Sequence, residues 1–300
     1  MNKYLLSPIS YLLFPILFTA CTKEIDFDYN EVVPVVMIEG RVTNEGCEVL
    51  ITYTRNMSDS VKSPCLKDAD VIITTDGMTE RLPYDAATRS YRSTFCGTPG
   101  QTYHLDITLD DHHYEAVSTM PYPAPIKSAE FLWQPIMDER LLAYEVWAID
   151  PEPDVRNYYW YRMDRYSTHP HVSNKNPSYL NASLFIHSEP YRWNVFDDRG
   201  CPPGLTFRDV LCMSEQAAKE DDEENWDSIL YEGDLITFTL MTIDRPTYDF
   251  FRSMISGQNG GANPISNIKG DVCIGYFTAA NITHADTIRF SYDICSDINR

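Results

Sequence analysis

Basic residues are scarce in this chain. Lys and Arg number 24 against 44 Asp and Glu, a formal net charge of −20 over 300 residues. That balance excludes a nucleic-acid partner, because a phosphate backbone needs a basic face. It equally excludes charge-driven adsorption to anionic lipid. Long apolar runs are missing as well. The stretch from Tyr4 to Phe18 is broken by Ser7, Pro8, Ser10 and Pro15, whereas a membrane helix takes about 20 apolar residues. No Gly-x-Ser-x-Gly elbow and no His-Glu-x-x-His pair occurs, so the corresponding serine hydrolases and zinc proteases are excluded. There is no Cys-x-x-Cys and no Cys/His cluster of zinc-site spacing. His112-His113 falls at a predicted hairpin tip, and His169-Pro170-His171 has no third ligand near it. Neither a metal nor an organic cofactor is expected.

What is present begins at the N-terminus. Residues 1–20 read as a secretory leader, with Lys3 the only charge and small Thr19-Ala20 before Cys21. Phe18-Thr19-Ala20-Cys21 resembles a bacterial lipobox, which makes Cys21 the expected site of lipidation. Several acyl chains anchor durably, since each buried methylene contributes about 0.8 kcal/mol. Lys23-Glu24 followed by Asp26 and Asp28 resembles the surface-export tag of Bacteroidota lipoproteins. It implies an outer-membrane protein, anchored through lipid and facing the exterior. Residues 21–33 are acidic and lack a helical period, so they read as a tether.

From residue 34 to 122 the chain reads as seven short strands between turns. They cover Val35–Val42, Glu48–Thr54, Asp70–Thr75, Arg81–Tyr84, Ser90–Phe95, Thr102–Leu109 and Tyr114–Met120, with a strong hairpin signal at Asp76-Gly77. This spacing predicts an immunoglobulin-like or transthyretin-like sandwich. The 20 tyrosines and 13% aromatic content suit sheet surfaces. Pro121-Tyr122-Pro123-Ala124-Pro125 is a stiff extended hinge. Beyond it, residues 126–300 predict a second β-rich domain with one or two short helices. Its strands are expected at 141–149, 157–164, 234–241, 272–279 and 288–294. An acidic helix is expected near Glu215 to Trp226. A second helix spans Pro246–Ile255, capped by Thr242 or Asp244, with Tyr248, Phe251 and Ile255 on one apolar stripe.

Eight cysteines are ordinary for an oxidising compartment. With Cys21 lipidated, seven remain. Simple up-and-down strand order puts Cys47 and Cys96 at one end of the sandwich, which predicts a disulfide between them and leaves Cys65 over. A final hairpin centred near His284 would set Cys273 opposite Cys295, and Cys201 with Cys212 would form a local pair.

For ligand contact, Tyr158-Tyr159-Trp160-Tyr161 places Tyr158 and Trp160 on one side of a strand. Together with Trp193 they are the expected ligand-facing aromatics, suited to a glycan or peptide. Asp197-Asp198-Arg199-Gly200 is the densest carboxylate pair near aromatics, at Trp193 and Phe196, and reads as a turn. No catalytic residue is expected.

Several ordered phrases carry a family resemblance. They are Met37-Ile38-Glu39-Gly40-Arg41-Val42-Thr43-Asn44, Ala69-Asp70-Val71-Ile72-Ile73, Gly100-Gln101-Thr102-Tyr103-His104-Leu105, Gly233-Asp234-Leu235, Tyr248-Asp249-Phe250-Phe251, and Asn263-Pro264-Ile265-Ser266-Asn267-Ile268 leading to Gly275-Tyr276-Phe277. Together they resemble the Bacteroidota lipoproteins of domain-of-unknown-function family 4249. The resemblance implies a non-enzymatic accessory or binding role beside a TonB-dependent outer-membrane receptor in nutrient uptake. The rival readings are a cell-surface carbohydrate hydrolase and an adhesin or assembly subunit.

Overall fold

The computed structural model describes residues 33–55, 63–172, 194–220, 226, 229–258 and 264–297. Cys21, most of the tether, Trp193 and the leader lie outside them. Before the proline segment come β1 (Val36–Thr43), β2 (Gly46–Tyr53), β3 (Asp70–Thr75), β4 (Met78–Arg81), β5 (Tyr84–Asp85), β6 (Ser90–Ser93), β7 (Thr102–Leu109) and β8 (His112–Thr119). After it come β9 (Ile126–Ile136), β10 (Glu139–Ile149), β11 (Tyr158–Tyr166), β12 (Val195–Asp197), β13 (Leu205–Ser214) and helix α1 (Glu215–Glu220). The chain continues through β14 (Leu235–Ile243), helix α2 (Arg245–Gln258), β15 (Lys269–Gly270), β16 (Cys273–His284), β17 (Ile288–Arg289) and β18 (Ser296–Asp297). The protein is mainly β, as its composition predicts.

Local pattern explains most of these strands. In β7, Tyr103, Leu105, Ile107 and Leu109 are buried while their neighbours are not, and in β8 Tyr114, Ala116 and Ser118 are the buried set. That alternation is the period of a sheet with one covered face. Asp76-Gly77 closes the β3–β4 hairpin, pairing Thr75 with Met78, and Gly77 takes φ +81°.

The strands assemble into three sheets. A long sheet runs β12-β11-β14-β16-β1-β2-β6-β5, with β17 paired to β14. A five-stranded sheet runs β15-β8-β7-β3-β4, and a four-stranded one β13-β10-β9-β18. The first core lies between the long sheet and the five-stranded sheet, around Ile38, Val49, Tyr103, Leu105 and Phe277. A second lies between the long sheet and the four-stranded sheet, around Phe131, Tyr144, Tyr159, Phe238 and Phe290. A third gathers Trp160, Met241, Phe250, Phe251 and Tyr276, where α2 packs on the long sheet. Side-chain alternation along β14 and β16 puts this third core on the face opposite the other two.

The first core draws Ile268, Phe277 and Ala279 from beyond the proline segment, so residues on both sides of it share a sheet and a core. β1 pairs in parallel with β16 over eight residues, from Val36↔Cys273 to Thr43↔Ala280. Side chains tie the same seam. Ser118 Oγ donates to Asp244 (2.6 Å) and accepts from the Ala279 N–H (2.7 Å), and Asn281 donates to the Pro121 carbonyl (2.8 Å). Pro34–Arg300 forms one compact unit, apart from Met1–Val33. Asp244 also caps α2 through the Thr247 N–H (3.0 Å), the expected geometry for an Asp at a helix start.

The loop 264–268 explains one of the family phrases. Asn267 donates to the Phe277 carbonyl (2.8 Å) and accepts from the Phe277 N–H (2.9 Å), while Ser266 Oγ donates to the Gly275 carbonyl (2.8 Å). The amide thus stands in for a neighbouring strand on β16. Phe277 is fully buried, so Asn267→Ala strands two backbone groups, each worth about 1–3 kcal/mol when unsatisfied. The expected loss is about 2–4 kcal/mol in urea denaturation, and a change below about 1 kcal/mol would contradict this role.

The cysteine pairings need correction. All seven described cysteines are free thiols. Cys273 opens β16 opposite Val36 in the first core, whereas Cys295 packs against the second. The final hairpin does not form, because β16 closes on β1 and β17 pairs with β14 instead. Cys201 precedes β13 and Cys212 lies near its far end, some seven residues or about 23 Å along a strand. No disulfide reaches that far. Cys47 and Cys96 lie on neighbouring segments as thiols, Cys47 donating to the Phe95 carbonyl (3.1 Å).

Candidate functional site

The long sheet has one face that α2 covers only in part. Where α2 ends its reach, β1, β2 and β6 present a row of charge. Thr278, Arg41, Glu48 and Arg92 are direct neighbours across β16, β1, β2 and β6. The hairpin turn at Asn44-Glu45 sets this register, since Thr43 pairs with Gly46 and Arg41 therefore pairs with Glu48. The Arg41 guanidinium forms an ion pair with Glu48, with side-chain exposures of 14% and 10%. Ser90 Oγ donates to the other Glu48 oxygen (2.8 Å), and Arg92 Nε lies 3.7 Å from it with its side chain half exposed. Glu39, two residues before Arg41 on the same face, is fully buried.

Around this row the surface is concave. A cleft of about 620 Å³ is lined by Arg41, Thr43, Glu45, Glu48, Glu80, Asp85, Arg92 and Ser93 among others. That size falls in the range of roughly 300–1,000 Å³ common for ligand sites. Its lining is charged and rich in hydroxyls, with no aromatic ring. Ser93 Oγ donates to Glu80, and His284 Nε2 meets Glu45 at the rim (2.6 Å). Asn44 holds that rim to β16, pairing with both backbone groups of Ile282 (3.0 and 2.7 Å).

The cleft also holds a thiol. Burial, with Glu80 nearby, pushes the Cys47 thiol up to about 12, so it carries almost no thiolate at neutral pH. What remains is a set of fixed charges and hydroxyls that can meet a small polar solute.

The aromatics expected to face a ligand do not form a platform. Trp160 is 2% exposed and packs on Phe251 (4.6 Å between centroids) and Tyr276. Tyr158 packs against Tyr248 of α2 (4.9 Å between centroids), and Tyr159 and Tyr161 fill the second core. β11 is covered on both faces, which is why this strand is aromatic throughout. Trp193 lies outside the described residues. A partly exposed aromatic pair occurs elsewhere, at Trp147 and Phe207 on the outer face of β10 and β13 (4.9 Å). There Trp147 Nε1 donates to Glu145 (2.6 Å). The alternation Leu142, Tyr144, Val146, Ala148 inward would have pointed Trp147 outward. His169 and His171 each stack on an aromatic ring, Tyr231 (3.7 Å) and Trp226 (3.9 Å). Among the described residues no group of three His, Cys, Asp or Glu side chains has the geometry of a metal site.

Three packed sheets with a charged cleft in the largest define a mainly β protein of sandwich-like build. The chain belongs to the family described as Domain of unknown function (DUF4249), whose pattern matches residues 22–286. Among curated proteins nothing matches. Among solved structures the chain is similar to the interferon gamma receptor alpha chain of chicken, at 8% identity and a TM-score of 0.17, covering 70% of this chain and 90% of that one. A likeness of that size carries no argument. Among the described residues no helix is long and apolar enough to cross a membrane.

Proposed function

We propose that this protein is an outer-membrane lipoprotein, anchored through Cys21, facing the exterior and serving as a non-enzymatic binding component of a TonB-dependent nutrient uptake system. The observation that carries the binding reading is the Arg41–Glu48–Arg92 row inside the cleft. Its buried members are preorganised by each other, and half-exposed Arg92 is the charge available to a solute. A polar solute or short peptide suits this lining better than a flat apolar ligand. The attachment reading rests on the lipobox. The family match begins at Thr22, directly after Cys21, and the compact unit begins at Pro34. An acidic tether of residues 21–33 would then separate lipid from body, and the excess of acidic residues in the chain, 44 against 24 basic, opposes adsorption to an anionic surface.

The test is fractionation followed by co-purification. Wild-type protein is expected in the outer-membrane fraction and, after gentle detergent extraction, together with a TonB-dependent receptor. Cys21→Ala is expected to leave the membrane for the soluble fraction. A Cys21→Ala protein that stays with membranes would sink the anchor. Extraction of the wild type without any receptor would sink the uptake role.

A further inference from the structure

The cleft holds charge of both signs that the chain leaves unjoined. Among the described residues the half-exposed Arg92 guanidinium makes no hydrogen bond, and its nearest charge is Glu48, 3.7 Å from Nε. That carboxylate already serves Arg41 and the Ser90 hydroxyl. On the next strand, β5 pairs Asp85 with Ser90, two residues from Arg92 and on the same face. Asp85 and Arg92 are therefore diagonal neighbours, with about 7–8 Å between their backbones. Both line the cleft, and among the described residues no ion pair closes the gap. Asp85 accepts from the Ala87 N–H (2.9 Å) and the Thr88 hydroxyl (3.0 Å), and Glu80 accepts from the Ser93 hydroxyl. Neither acid has a cation for a partner among the described residues.

Each class of small solute meets this arrangement differently. A neutral sugar would leave the guanidinium and both acids unanswered, and no aromatic ring lines the cleft to stack on its face. An anion finds one free guanidinium against two carboxylates. A simple cation answers the acids and leaves Arg92 facing its own sign. A zwitterion answers both signs at once. Its carboxylate can sit on the Arg92 nitrogens at about 2.7–2.9 Å, in the forked geometry a guanidinium offers. Its ammonium then reaches the spare lone pairs of Asp85 and Glu80, since an ionised carboxylate accepts at about four positions.

We infer that the ligand of this cleft is a short peptide with free termini, its C-terminal carboxylate on Arg92 and its N-terminal ammonium on Asp85 and Glu80. The inference rests on the reading of the cleft as the binding site and names what that site takes. Three extended residues span about 10 Å, which covers the Asp85–Arg92 diagonal and a contact at each end. The cavity of about 620 Å³ has room for that length. Two acids against one free base set a preference within the class. A central lysine is favoured and a central glutamate opposed, because the two termini cancel only one of the two acids.

Isothermal titration calorimetry on the full mature protein, extracted in mild detergent, tests this with the tripeptide Gly-Lys-Gly. The wild type is expected to bind it, and to bind the N-acetylated peptide, the C-terminal amide and Gly-Glu-Gly each at least about tenfold more weakly. Arg92→Met should cost at least about tenfold in affinity, and Arg92→Lys, which keeps the charge and loses the fork, should recover part of it. Arg92 is half exposed and makes no hydrogen bond, so both variants are expected to keep the wild-type Tm. A wild-type protein that takes up no Gly-Lys-Gly at about 10 mM would overturn the assignment. So would equal binding of free and blocked peptides, or binding indifferent to Arg92→Met. Should D-glucose bind instead and lose that binding in Arg92→Met, the ligand class falls while the cleft stands as the binding site. A receptor that co-purifies with a protein blind to these peptides would likewise sink the ligand class and keep the uptake role.

Discussion

Gly275→Ala is expected to destabilise the protein by more than about 4 kcal/mol, a loss comparable to much of a typical domain's stability of roughly 5–15 kcal/mol. Gly275 pairs with Ile38 in the parallel contact between β1 and β16 and takes φ +150°. A Cβ built there would lie 1.8 Å from the Ile38 carbonyl oxygen and 2.7 Å from its carbon. Those are backbone atoms within a ladder, so no rotamer change relieves the overlap; the strands must part. Parting them opens the seam that joins the two halves of the long sheet. Gly77→Ala is the matched control. Gly77 also has positive φ, at +81°, but nothing lies within 4 Å of its added Cβ. Its expected cost is the backbone term alone, about 1–2 kcal/mol. Urea midpoints followed by tryptophan fluorescence separate the cases. Equal losses for the two variants would remove the steric argument.

Arg41→Met is expected to cost about 3–5 kcal/mol, because it leaves the Glu48 carboxylate at 10% exposure without its main partner. Ser90 still donates to Glu48, but Arg92 is 3.7 Å away and half exposed, so solvent screens most of its help. The double variant Arg41→Met, Glu48→Leu removes both charges. It is expected to recover at least half the loss, since a matched apolar pair avoids the desolvation of either ion. A double variant no more stable than Arg41→Met would show that the row is held by something other than this pair. The same variants bear on binding. A solute that still associates with the folded double variant would not be using the cleft's charge row.

How much of this could be read beforehand depends on range. Asp76-Gly77 announced its hairpin because the turn requires φ > 0 at a residue free of Cβ. Of the two cap candidates for α2, Thr242 and Asp244, the structure uses Asp244, whose carboxylate satisfies a backbone N–H locally. The Arg41–Glu48 pair went unread, because the second strand was expected to start at Glu48, whereas it starts at Gly46 opposite Thr43 and so sets Arg41 against Glu48. The ligand-facing aromatics were misread for a definite reason. Alternation says that Tyr158 and Trp160 share a side, but not whether that side is covered, and α2 covers it. The Cys273–Cys295 pair failed because a hairpin through His284 was assumed where β16 instead crosses the fold to meet β1.

Read alone, the chain settles its strand-rich composition and the hairpins closed by adjacent turn residues. Each of these depends on neighbours within a few positions, where period and turn chemistry act directly. The parallel closure of β1 on β16, the face that α2 buries and the cleft around Arg92 belong to the folded molecule. They join segments far apart in the chain. Which distant strand wins a free edge is decided by competing burial across whole sheets, a sum that no local pattern contains.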